Sequence, residues 1–296
     1  MASRFFKRAA PAIRPGYVSP QRTFDSLPRA VQDRAPPYAP TGMVPPALPR
    51  VHLNSDDEIA SMRLACRAAA QILQVAGEAC VLGNTTAQID DAVYDATVGR
   101  GHYPSPLNYH GFPKTVCTSV NEVICHGIPD DRALADGDII NCDVSAYVEG
   151  HHGDNSAMFL VGDVSEEGRR LVDATRDALA AAIEVCRPGR PLTSIGDAIA
   201  EVYEPLGYES VQQYCGHGVG ADFHMLPFIH HYRNDIPGTM EERMIFTIEP
   251  MLVAGKQASD IWSDGWTVVA ADGSLSAQFE HTILITKDGA EILTLP

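Results

Sequence analysis

The chain has 296 residues, of which 45% are hydrophobic and 7% aromatic, values that are ordinary for a globular protein that folds in water. It contains no apolar run that approaches the roughly 20 residues of a membrane-spanning helix, so no membrane partner is expected. The seven cysteines form no C-x-x-C pair, which argues against a disulfide framework and predicts free thiols in a reducing compartment.

The net charge of −16 conceals a difference between residues 1–50 and the rest of the chain. Residues 1–50 hold eight Lys or Arg, two Asp and ten of the 21 prolines, whereas the remainder holds 14 basic and 36 acidic residues. A basic, proline-rich composition without hydrophobic periodicity predicts a largely extended tail that packs little core, followed by a folded domain at residues 51–296. We therefore expect removal of residues 1–45 to spare the function of that domain.

Three functions suit the composition of this tail, beside the role of a disordered solvating segment. Its basic residues would contact ribosomal RNA phosphates. Residues 44–50, VPPALPR, would form a polyproline II ligand. The Arg-rich, acid-poor residues 4–14 are typical of organelle transit peptides. The protein is expected in the cytoplasm, or in an organelle stroma or matrix if residues 1–50 are a transit peptide.

Helical periodicity begins after the proline-rich segment. Ser55 followed by Glu58 is the signature of a capping box, and apolar residues then recur at helical spacing until Gly83. A second helix is predicted over residues 86–100. The same two-helix pattern returns at residues 165–187 and 192–206.

The two helix pairs belong to an internal repeat. With a fixed offset of 106 residues and no gap, ten of the 34 positions from 68 to 101 are identical, including the pair Cys80 and Cys186. We predict two pseudo-repeats, at about residues 55–163 and 164–290, each with two helices followed by strands. Their strands would join into one sheet with helices on its outer face, and the polar strand faces would meet across a pseudo-twofold cleft.

Five side chains on short strand-like stretches have the character of metal ligands. They are Asp143 in IINCDVSAYV, Asp154 in HHGDNSAMF, His217 in YCGHGVG, Glu249 in MIFTIEPML and Glu280 in SAQFEHTILIT. Because alternate residues of a strand share one face, each carboxylate points away from the apolar face of its strand. Buried carboxylates are costly unless they are paired or bound to metal. Four carboxylates and one imidazole match the charge and ligand count of two divalent ions.

The predicted repeat divides these ligands between its halves, so the ions would lie in the central cleft. The first half supplies Asp143 and Asp154, and the second half supplies the other three. Glycines at 216 and 218 beside His217 are expected to leave room for a metal. Oxygen-rich ligation with one imidazole suits Co(II), Mn(II), Fe(II) or Zn(II) better than Mg(II), and the sequence does not distinguish among these four.

The strings around the ligands resemble those of a known family. NEVICHGIP, NCDV, HGDNSAMF, CGHGVG, FTIEPM, DGWTV and QFEHT are similar, in order and spacing, to the motifs of type I methionine aminopeptidases of peptidase family M24. The resemblance runs from about residue 55 to the C-terminus, and the proline-rich tail resembles that of extended actinobacterial members. It implies the pita-bread fold, an α+β fold in which helices cover the outer face of one curved, antiparallel central sheet.

The resemblance also implies a role for each metal ligand. Asp143 would chelate one ion, and His217 and Glu249 would chelate the other. Asp154 and Glu280 would bridge the pair. Of the two glutamates that could act as the base, the resemblance favours Glu249.

Two histidines and a set of pocket residues are carried over as well. His126 and His224 match uncoordinated histidines that hold the substrate amide and the tetrahedral intermediate, and with Glu249 they are the predicted catalytic residues. The methionine side chain would be lined by Tyr109, Phe112, Cys117, Phe223 and Trp266. Pro106 stands where many members carry cysteine, a difference that would reshape the pocket rim.

The implied function is removal of the initiator methionine from nascent polypeptides whose second residue is small. A hydroxide that bridges two metal ions would attack the carbonyl of residue 1, and one ion and His224 would stabilise the oxyanion. An apolar pocket for an unbranched thioether would give the preference for methionine. The expected partners are nascent N-termini and, through the tail, the ribosome, and the protein is expected to be a monomer.

Two other functions are open to a chain of this fold. X-Pro aminopeptidases and prolidases share the metal set, but they usually carry a sizeable N-terminal domain, whereas only about 50 residues precede the first helix here. Non-catalytic pita-bread binding proteins typically lose metal ligands, whereas this chain keeps all five. A purely structural metal site is disfavoured because such sites are usually closed by Cys and His.

Overall fold

The computed structural model describes residues 22–47 and 49–296. The helices in this part of the chain are α1 (Arg29–Gln32), α2 (Asp56–Ala79), α3 (Thr86–Gly99), α4 (Glu166–Glu184) and α5 (Thr193–Tyr203). The strands are β1 (Tyr103–Pro104), β2 (Cys117–Val120), β3 (Val123–Cys125), β4 (Ile139–Val148), β5 (His151–Leu160), β6 (Glu209–Ser210), β7 (Gly216–Gly218), β8 (Met225–Ile229), β9 (Ile245–Ile248), β10 (Met251–Val253), β11 (Ser259–Ile261), β12 (Val268–Ala270), β13 (Ser276–Gln278), β14 (Glu280–Ile285) and β15 (Ala290–Ile292). Among these helices, none has the length and apolar character needed to cross a membrane.

One antiparallel sheet joins the two halves of the chain. Its strands follow the order β1-β4-β5-β14-β9-β7-β8, with β2 paired to β4 and β15 paired to β14. The junction lies between β5 and β14, where Ser156 is opposite Glu280. Two smaller sheets, β13-β10-β6 and β11-β12-β3, complete the strands of the described residues. The predicted α+β class and the single central sheet are confirmed.

The apolar faces of the strands are buried as the alternation predicts. In the first half, the alternate residues of β4 pack into a core against α2 and α3; they are Ile140, Cys142, Val144, Ala146 and Val148. In the second half, Phe246, Ile283 and Ile285 pack into a core with residues of α4 and α5. The polar strand faces therefore remain on the side of the sheet away from these helices, where a site can form.

The predicted helix start is confirmed in detail. The Ser55 hydroxyl accepts a hydrogen bond from the Glu58 backbone N–H at 3.3 Å, and the Glu58 carboxylate accepts one from the Ser55 N–H at 2.7 Å. These two bonds satisfy backbone donors that have no partner inside the helix. The helix ends at Ala79, before the turn in which Gly83 has a φ of 87°.

The offset of 106 residues also appears in the backbone pairing. An isolated antiparallel bridge joins Thr85 to Ala133, and another joins Pro191 to Thr239. Each residue of the second bridge lies 106 positions after its counterpart in the first. The loop between the two helices of each pair is therefore bridged at an equivalent position in both halves, as the internal repeat predicts.

The segment before residue 50 differs from the predicted extended tail. Over residues 22–47 it forms short helical turns, and Leu27, Val31, Tyr38 and Ala39 are buried in a cluster on the surface of the first half. The expectation that the tail packs little core is wrong for this part, because its apolar residues are irregularly spaced and become buried only against a surface that already exists. The transit-like residues 4–14 lie outside the described residues.

Candidate metal centre and substrate pocket

Strand register brings together the three predicted acidic ligands of the central strands. In the pairing of β4 with β5, Ser145 lies opposite Asp154 and Asp143 lies opposite Ser156. Ser156 is also the partner of Glu280 on β14. All three carboxylates thus lie within two residues of one another on the polar face of the sheet. The Ser145 hydroxyl donates a hydrogen bond of 2.7 Å to Asp154 Oδ1 and orients that carboxylate.

The second half supplies the remaining two ligands. The His217 backbone N–H donates to Thr247 Oγ1 at 3.0 Å, and the Thr247 hydroxyl donates to Glu249 Oε1 at 2.9 Å. One threonine on β9 therefore fixes both the His217 backbone and the Glu249 side chain. His217 Nε2 lies 3.5 Å from Glu249 Oε1 and 3.7 Å from Asp154 Oδ2. These five predicted ligands line a single cavity of about 350 Å³.

His217 has the protonation state that a metal ligand requires. Its Nδ1 lies 3.2 Å from the Gly218 carbonyl oxygen, which can only accept, so Nδ1 carries the proton. The lone pair of Nε2 then points at the carboxylates of the site. Burial lowers the pKa of His217 to about 4, so the ring is neutral at neutral pH.

The four carboxylates are destabilised as anions when no cation is present. Burial raises the pKa of Asp154 to about 7, and burial together with the charge of Asp154 raises the pKa of Asp143, Glu249 and Glu280 well above the usual range. Ligand atoms of Asp154, His217 and Glu280 lie within 4.8 Å of one another. Buried acids that repel one another beside a neutral imidazole form a donor set that fits divalent cations.

Metal binding is expected to release more protons at pH 6 than at pH 8. A carboxylate binds metal only when ionised, and the pKa of Asp154 is about 7 without metal, so below that pH the cation must displace a proton. Below that pH, the apparent affinity for the metal should fall about tenfold for each unit by which the pH is lowered and for each proton displaced. Calorimetric titration with Mn(II) in two buffers of different ionisation enthalpy measures the number of protons.

The matched variant for this titration is Ser145→Ala. The Ser145 hydrogen bond favours the ionised form of Asp154, so its loss should raise the pKa of that carboxyl and move the proton release to higher pH. Equal proton release at both pH values in the wild-type protein would contradict the raised pKa.

The glycines beside His217 have a different role from the one expected. A Cβ on Gly216 would lie 2.3 Å from the Thr247 carbonyl oxygen, and a Cβ on Gly218 would lie 2.3 Å from the Leu226 carbonyl oxygen. Neighbouring backbone therefore requires glycine at both positions. The expectation that these residues leave room for a metal is corrected: they let β9 and β8 approach β7 closely enough to place His217.

The two predicted uncoordinated histidines stand on the wall of the same cavity. His224 Nδ1 lies 2.7 Å from the Tyr109 hydroxyl, and the rings of His224 and His217 are 4.1 Å apart. His126 packs edge-on against Tyr214, with ring centroids 5.3 Å apart. Burial lowers the pKa of His126 to about 4. His224 lines the cavity, and loss of water around its ring together with the nearby His217 lowers its pKa well below the usual range.

The structure places every predicted pocket residue on this cavity. These are Tyr109, Phe112, Cys117, Phe223 and Trp266, together with Pro106, which is buried. Lining residues that the sequence analysis missed are Ser145, Gln213, Tyr214, Cys215, Phe228 and Met251. Tyr214 and Cys215 belong to the string YCGHGVG that contains His217, so proximity to a predicted ligand was a usable signal for these two.

Two buried histidines support the site without lining the cavity. His231 Nε2 accepts a hydrogen bond of 3.1 Å from the Glu249 backbone N–H. The His152 ring stacks on Phe223 with centroids 4.8 Å apart. Burial lowers the pKa of both histidines to about 3, so both act as neutral hydrogen-bonding and packing groups.

Comparisons with known proteins agree with this geometry. Residues 60–287 match the model of metallopeptidase family M24. The chain is 49% identical over 97% of its length to methionine aminopeptidase 1B, chloroplastic, of Arabidopsis thaliana, and covers 76% of that protein. It is 48% identical over 95% of its length to the Arabidopsis protein methionine aminopeptidase 1D, chloroplastic/mitochondrial, and covers 79% of it.

A solved structure shows the same relationship in three dimensions. The crystal structure of methionine aminopeptidase from Rickettsia prowazekii superposes with a TM-score of 0.81 at 44% identity, covering 83% of this chain and all of that one. The pita-bread fold implied by the sequence motifs is thereby confirmed. The chain belongs to metallopeptidase family M24 and, within it, to the type I methionine aminopeptidases.

Proposed function

We propose that this protein removes the N-terminal methionine from polypeptides whose second residue is small. The observation that carries the proposal is the single cavity on which the five ligands and the aromatic pocket both open. Relatives that are 48–49% identical over nearly the whole chain are named methionine aminopeptidases. The alternatives of an X-Pro peptidase or a non-catalytic binding protein are not favoured by these relatives.

Membership of a metallopeptidase family implies a divalent metal, and the proposal is that two ions are held. Their ligands would be Asp143, Asp154, His217, Glu249 and Glu280. Two divalent ions would balance the four carboxylates that otherwise repel one another. When bound, such cations supply Lewis acidity that acidifies water and polarises a carbonyl. The identity proposed for the metal remains Co, Mn, Fe or Zn.

Glu249 is the proposed general base. Its Oε1 accepts the Thr247 hydroxyl at 2.9 Å, and its Oε2 accepts the Gln278 side-chain N–H at 3.3 Å, so both oxygens are oriented. Burial and the neighbouring Asp154 raise its pKa well above the usual range. With cations bound nearby the carboxyl would be ionised, and a carboxylate held in this orientation would take a proton from the attacking water and pass it to the leaving amine.

His224 is the proposed donor to the developing oxyanion. Burial raises the pKa of the Tyr109 hydroxyl to about 12, so that hydroxyl keeps its proton and can donate it to His224 Nδ1. The neutral imidazole then carries its own proton on Nε2, which is free to face the substrate oxygen. His126 would hold the substrate amide from its own position on the cavity wall.

The cavity wall supports a preference for methionine. Phe112 and Trp266 meet edge to face with centroids 5.2 Å apart, and Tyr109 and Phe223 do so at 4.9 Å. Aromatic rings make favourable contacts with a thioether sulfur, and an unbranched side chain fits between them without displacing either pair. Cys117 is buried, and its polarisable thiol lines the same cavity.

One assay series tests the proposal. Purified protein supplied with Mn(II), Co(II) or Fe(II) is offered the peptides Met-Ala-Ser, Met-Lys-Ser and Ala-Pro-Ala. Cleavage of Met-Ala-Ser alone is the expected result. Preference for Ala-Pro-Ala would reassign the chain to the proline-specific enzymes, and absence of both cleavage and bound metal would favour a binding protein.

The partners and location follow from the proposed activity. Nascent polypeptides would be the substrates. The protein would meet them at the ribosome through the basic segment at residues 1–50, and it would act as a monomer in the cytoplasm. The free cysteines suit a reducing compartment. The two plant relatives are named as organelle proteins, so an organelle is the alternative. A fluorescent protein fused to residues 1–50 tests the location: import into isolated organelles would overturn the cytoplasmic assignment.

A further inference from the structure

The N-terminal segment, residues 22–47, packs behind the loop that carries the pocket tyrosine. We name residues 105–112 the pocket loop, since it runs from Ser105 through Tyr109 to Phe112. Tyr38 and Ala39 of the N-terminal segment are buried in one cluster with residues that flank and belong to this loop. A segment predicted to be a peripheral tail is therefore adjacent to the substrate pocket.

The pocket loop adopts a backbone shape that its own residues disfavour. Asn108 has a φ of 60° and His110 a φ of 48°, both in the left-handed region that residues other than glycine rarely occupy. Within the loop, the Asn108 N–H donates to the Phe112 carbonyl at 2.7 Å. Such a conformation persists when surrounding structure holds it in place.

The N-terminal segment supplies part of that support. The Tyr38 hydroxyl donates to the Ser105 carbonyl oxygen at 2.5 Å, and the Asn108 side-chain amide donates to the Ala39 carbonyl oxygen at 2.8 Å. The Tyr38 ring meets the Tyr109 ring edge to face, with centroids 5.0 Å apart. The strained part of the pocket loop is thus bonded at two points and packed at a third.

The start of the same segment is anchored to the first helix pair. Arg22 pairs with the buried Asp90 at 2.6 Å and with Asp91, and its guanidinium lies 4.1 Å above the centre of the Tyr94 ring. Asp90 is oriented by the Thr115 hydroxyl, which donates to it at 2.6 Å. Because the segment is attached both at Arg22 and at the pocket loop, its central residues are held against the protein.

Tyr38 connects by two routes to the aromatic wall that Tyr109 and Phe223 form. Through Tyr109 it reaches His224, since the Tyr109 hydroxyl lies 2.7 Å from His224 Nδ1. Through His152 it reaches Phe223, because the Tyr38 and His152 rings stack with centroids 6.1 Å apart and His152 stacks on Phe223. Tyr38 itself does not line the cavity.

We propose that Tyr38 is a positioning residue for the reaction and that residues 22–47 support the substrate pocket from behind the pocket loop. The proposal rests on the proposed function, because it concerns how tightly a methionyl side chain is held. It reverses the expectation that removal of residues 1–45 spares activity. It acts through Tyr109 and Phe223, whose places in the pocket depend on a ring supplied from outside residues 51–296.

The test compares two variants in the full chain, Tyr38→Leu and Tyr38→Phe, by steady-state kinetics on Met-Ala-Ser. Tyr38→Leu removes both the ring and the hydroxyl. We expect its kcat/KM to fall by between about tenfold and about 100-fold, mainly through KM, because misplacing a positioned group by about 1 Å costs about 100-fold. Tyr38→Phe keeps the ring against Tyr109 and should lose only a few-fold.

Tyr203→Leu is the matched control. Tyr203 is also a buried tyrosine, but it packs in the core of the second half and not against the pocket. Its variant should show a comparable fall in Tm with an unchanged KM. If Tyr38→Leu behaves like Tyr203→Leu, with an unchanged KM and activity lowered only in proportion to the folded fraction, the positioning role is overturned.

A binding measurement separates this inference from the proposed function. Trp266 lines the cavity, so its fluorescence should report binding of free methionine without any turnover. A higher Kd for methionine in Tyr38→Leu than in wild type supports the inference, and an equal Kd overturns it. If the wild-type protein does not cleave Met-Ala-Ser, the proposed function is refuted. The ratio of the two Kd values still tests whether Tyr38 positions the pocket residues.

Discussion

Replacing Asp154 by asparagine is expected to lower kcat on Met-Ala-Ser by about 10³-fold or more, since Lewis-acid stabilisation is worth several kcal/mol and each 1.36 kcal/mol is tenfold. Asp154 is buried, stands 3.7 Å from His217 Nε2 and is oriented by the Ser145 hydroxyl. Asparagine keeps the shape and the hydrogen bond but removes the negative charge. The fold should survive, because one of four mutually repelling carboxylates has gone.

Thermal unfolding with and without Mn(II) separates loss of the site from loss of the fold. A ligand that binds the native state stabilises it by about 2.7 kcal/mol at 100 times its Kd, so Mn(II) should raise the Tm of the wild-type protein. It should raise the Tm of Asp154→Asn less. Without metal, the Tm of Asp154→Asn should equal or exceed that of the wild type.

Asp138→Asn is the matched control for this prediction. Asp138 is another buried aspartate, just before β4, but it pairs with Arg132 at 2.7 Å and accepts a hydrogen bond from Asn121. Its variant should lower the Tm and leave kcat unchanged. Normal turnover by Asp154→Asn would refute its role as a ligand that bridges two ions.

Replacing His224 by alanine is expected to lower kcat by about 10²-fold to 10³-fold, the usual cost of removing one oxyanion donor. The variant removes the proposed Nε2 donor together with the ring whose Nδ1 lies 2.7 Å from the Tyr109 hydroxyl. Because His224 lines the cavity and belongs to none of the hydrophobic core clusters, its loss should lower the Tm only slightly. Single-turnover kinetics with Met-Ala-Ser measure the chemical step directly.

Tyr109→Phe separates the effect of the His224 tautomer on kcat from the effect of the imidazole ring itself. It keeps the aromatic wall and removes the hydroxyl that lies 2.7 Å from His224 Nδ1. A fall in kcat smaller than that of His224→Ala is expected, since the ring can still adopt the active tautomer part of the time. The control is His52→Ala, at a partly exposed histidine that pairs with Glu58, and it should leave kcat unchanged. Equal kcat in Tyr109→Phe and wild type would show that the hydroxyl does not set the tautomer.

Much of the site was predictable because the relevant signals are local. The alternation along β4 separates Ile140, Cys142 and Val144 from Asp143, and the structure buries the first three while it leaves Asp143 on the polar face. The Ser55 capping box likewise marks the start of α2 from four adjacent residues. The hydrophobic periodicity of a strand and the capping of a helix depend on residues that are neighbours in sequence, so one sequence is enough to predict them.

Other features have no local signal. Nothing in the sequence distinguishes His152 and His231 from surface histidines. In the structure both are buried: His152 stacks on Phe223, and His231 accepts a hydrogen bond from the Glu249 backbone N–H. The burial of Tyr38 depends on Tyr103 and Leu107, more than sixty positions later. Composition alone therefore assigned the N-terminal segment to a tail, although residues 22–47 pack against the pocket loop.

The sequence by itself determined the ligand types, the strand faces, the repeat and the methionine aminopeptidase motifs. Only the tertiary structure decided how these parts meet: that Thr247 holds both His217 and Glu249, that the Gly218 carbonyl sets the histidine tautomer, and that Tyr38 stands behind Tyr109. The physical reason is that side-chain chemistry and backbone periodicity are properties of neighbouring residues, whereas burial, protonation and orientation arise from contacts between residues far apart in the chain.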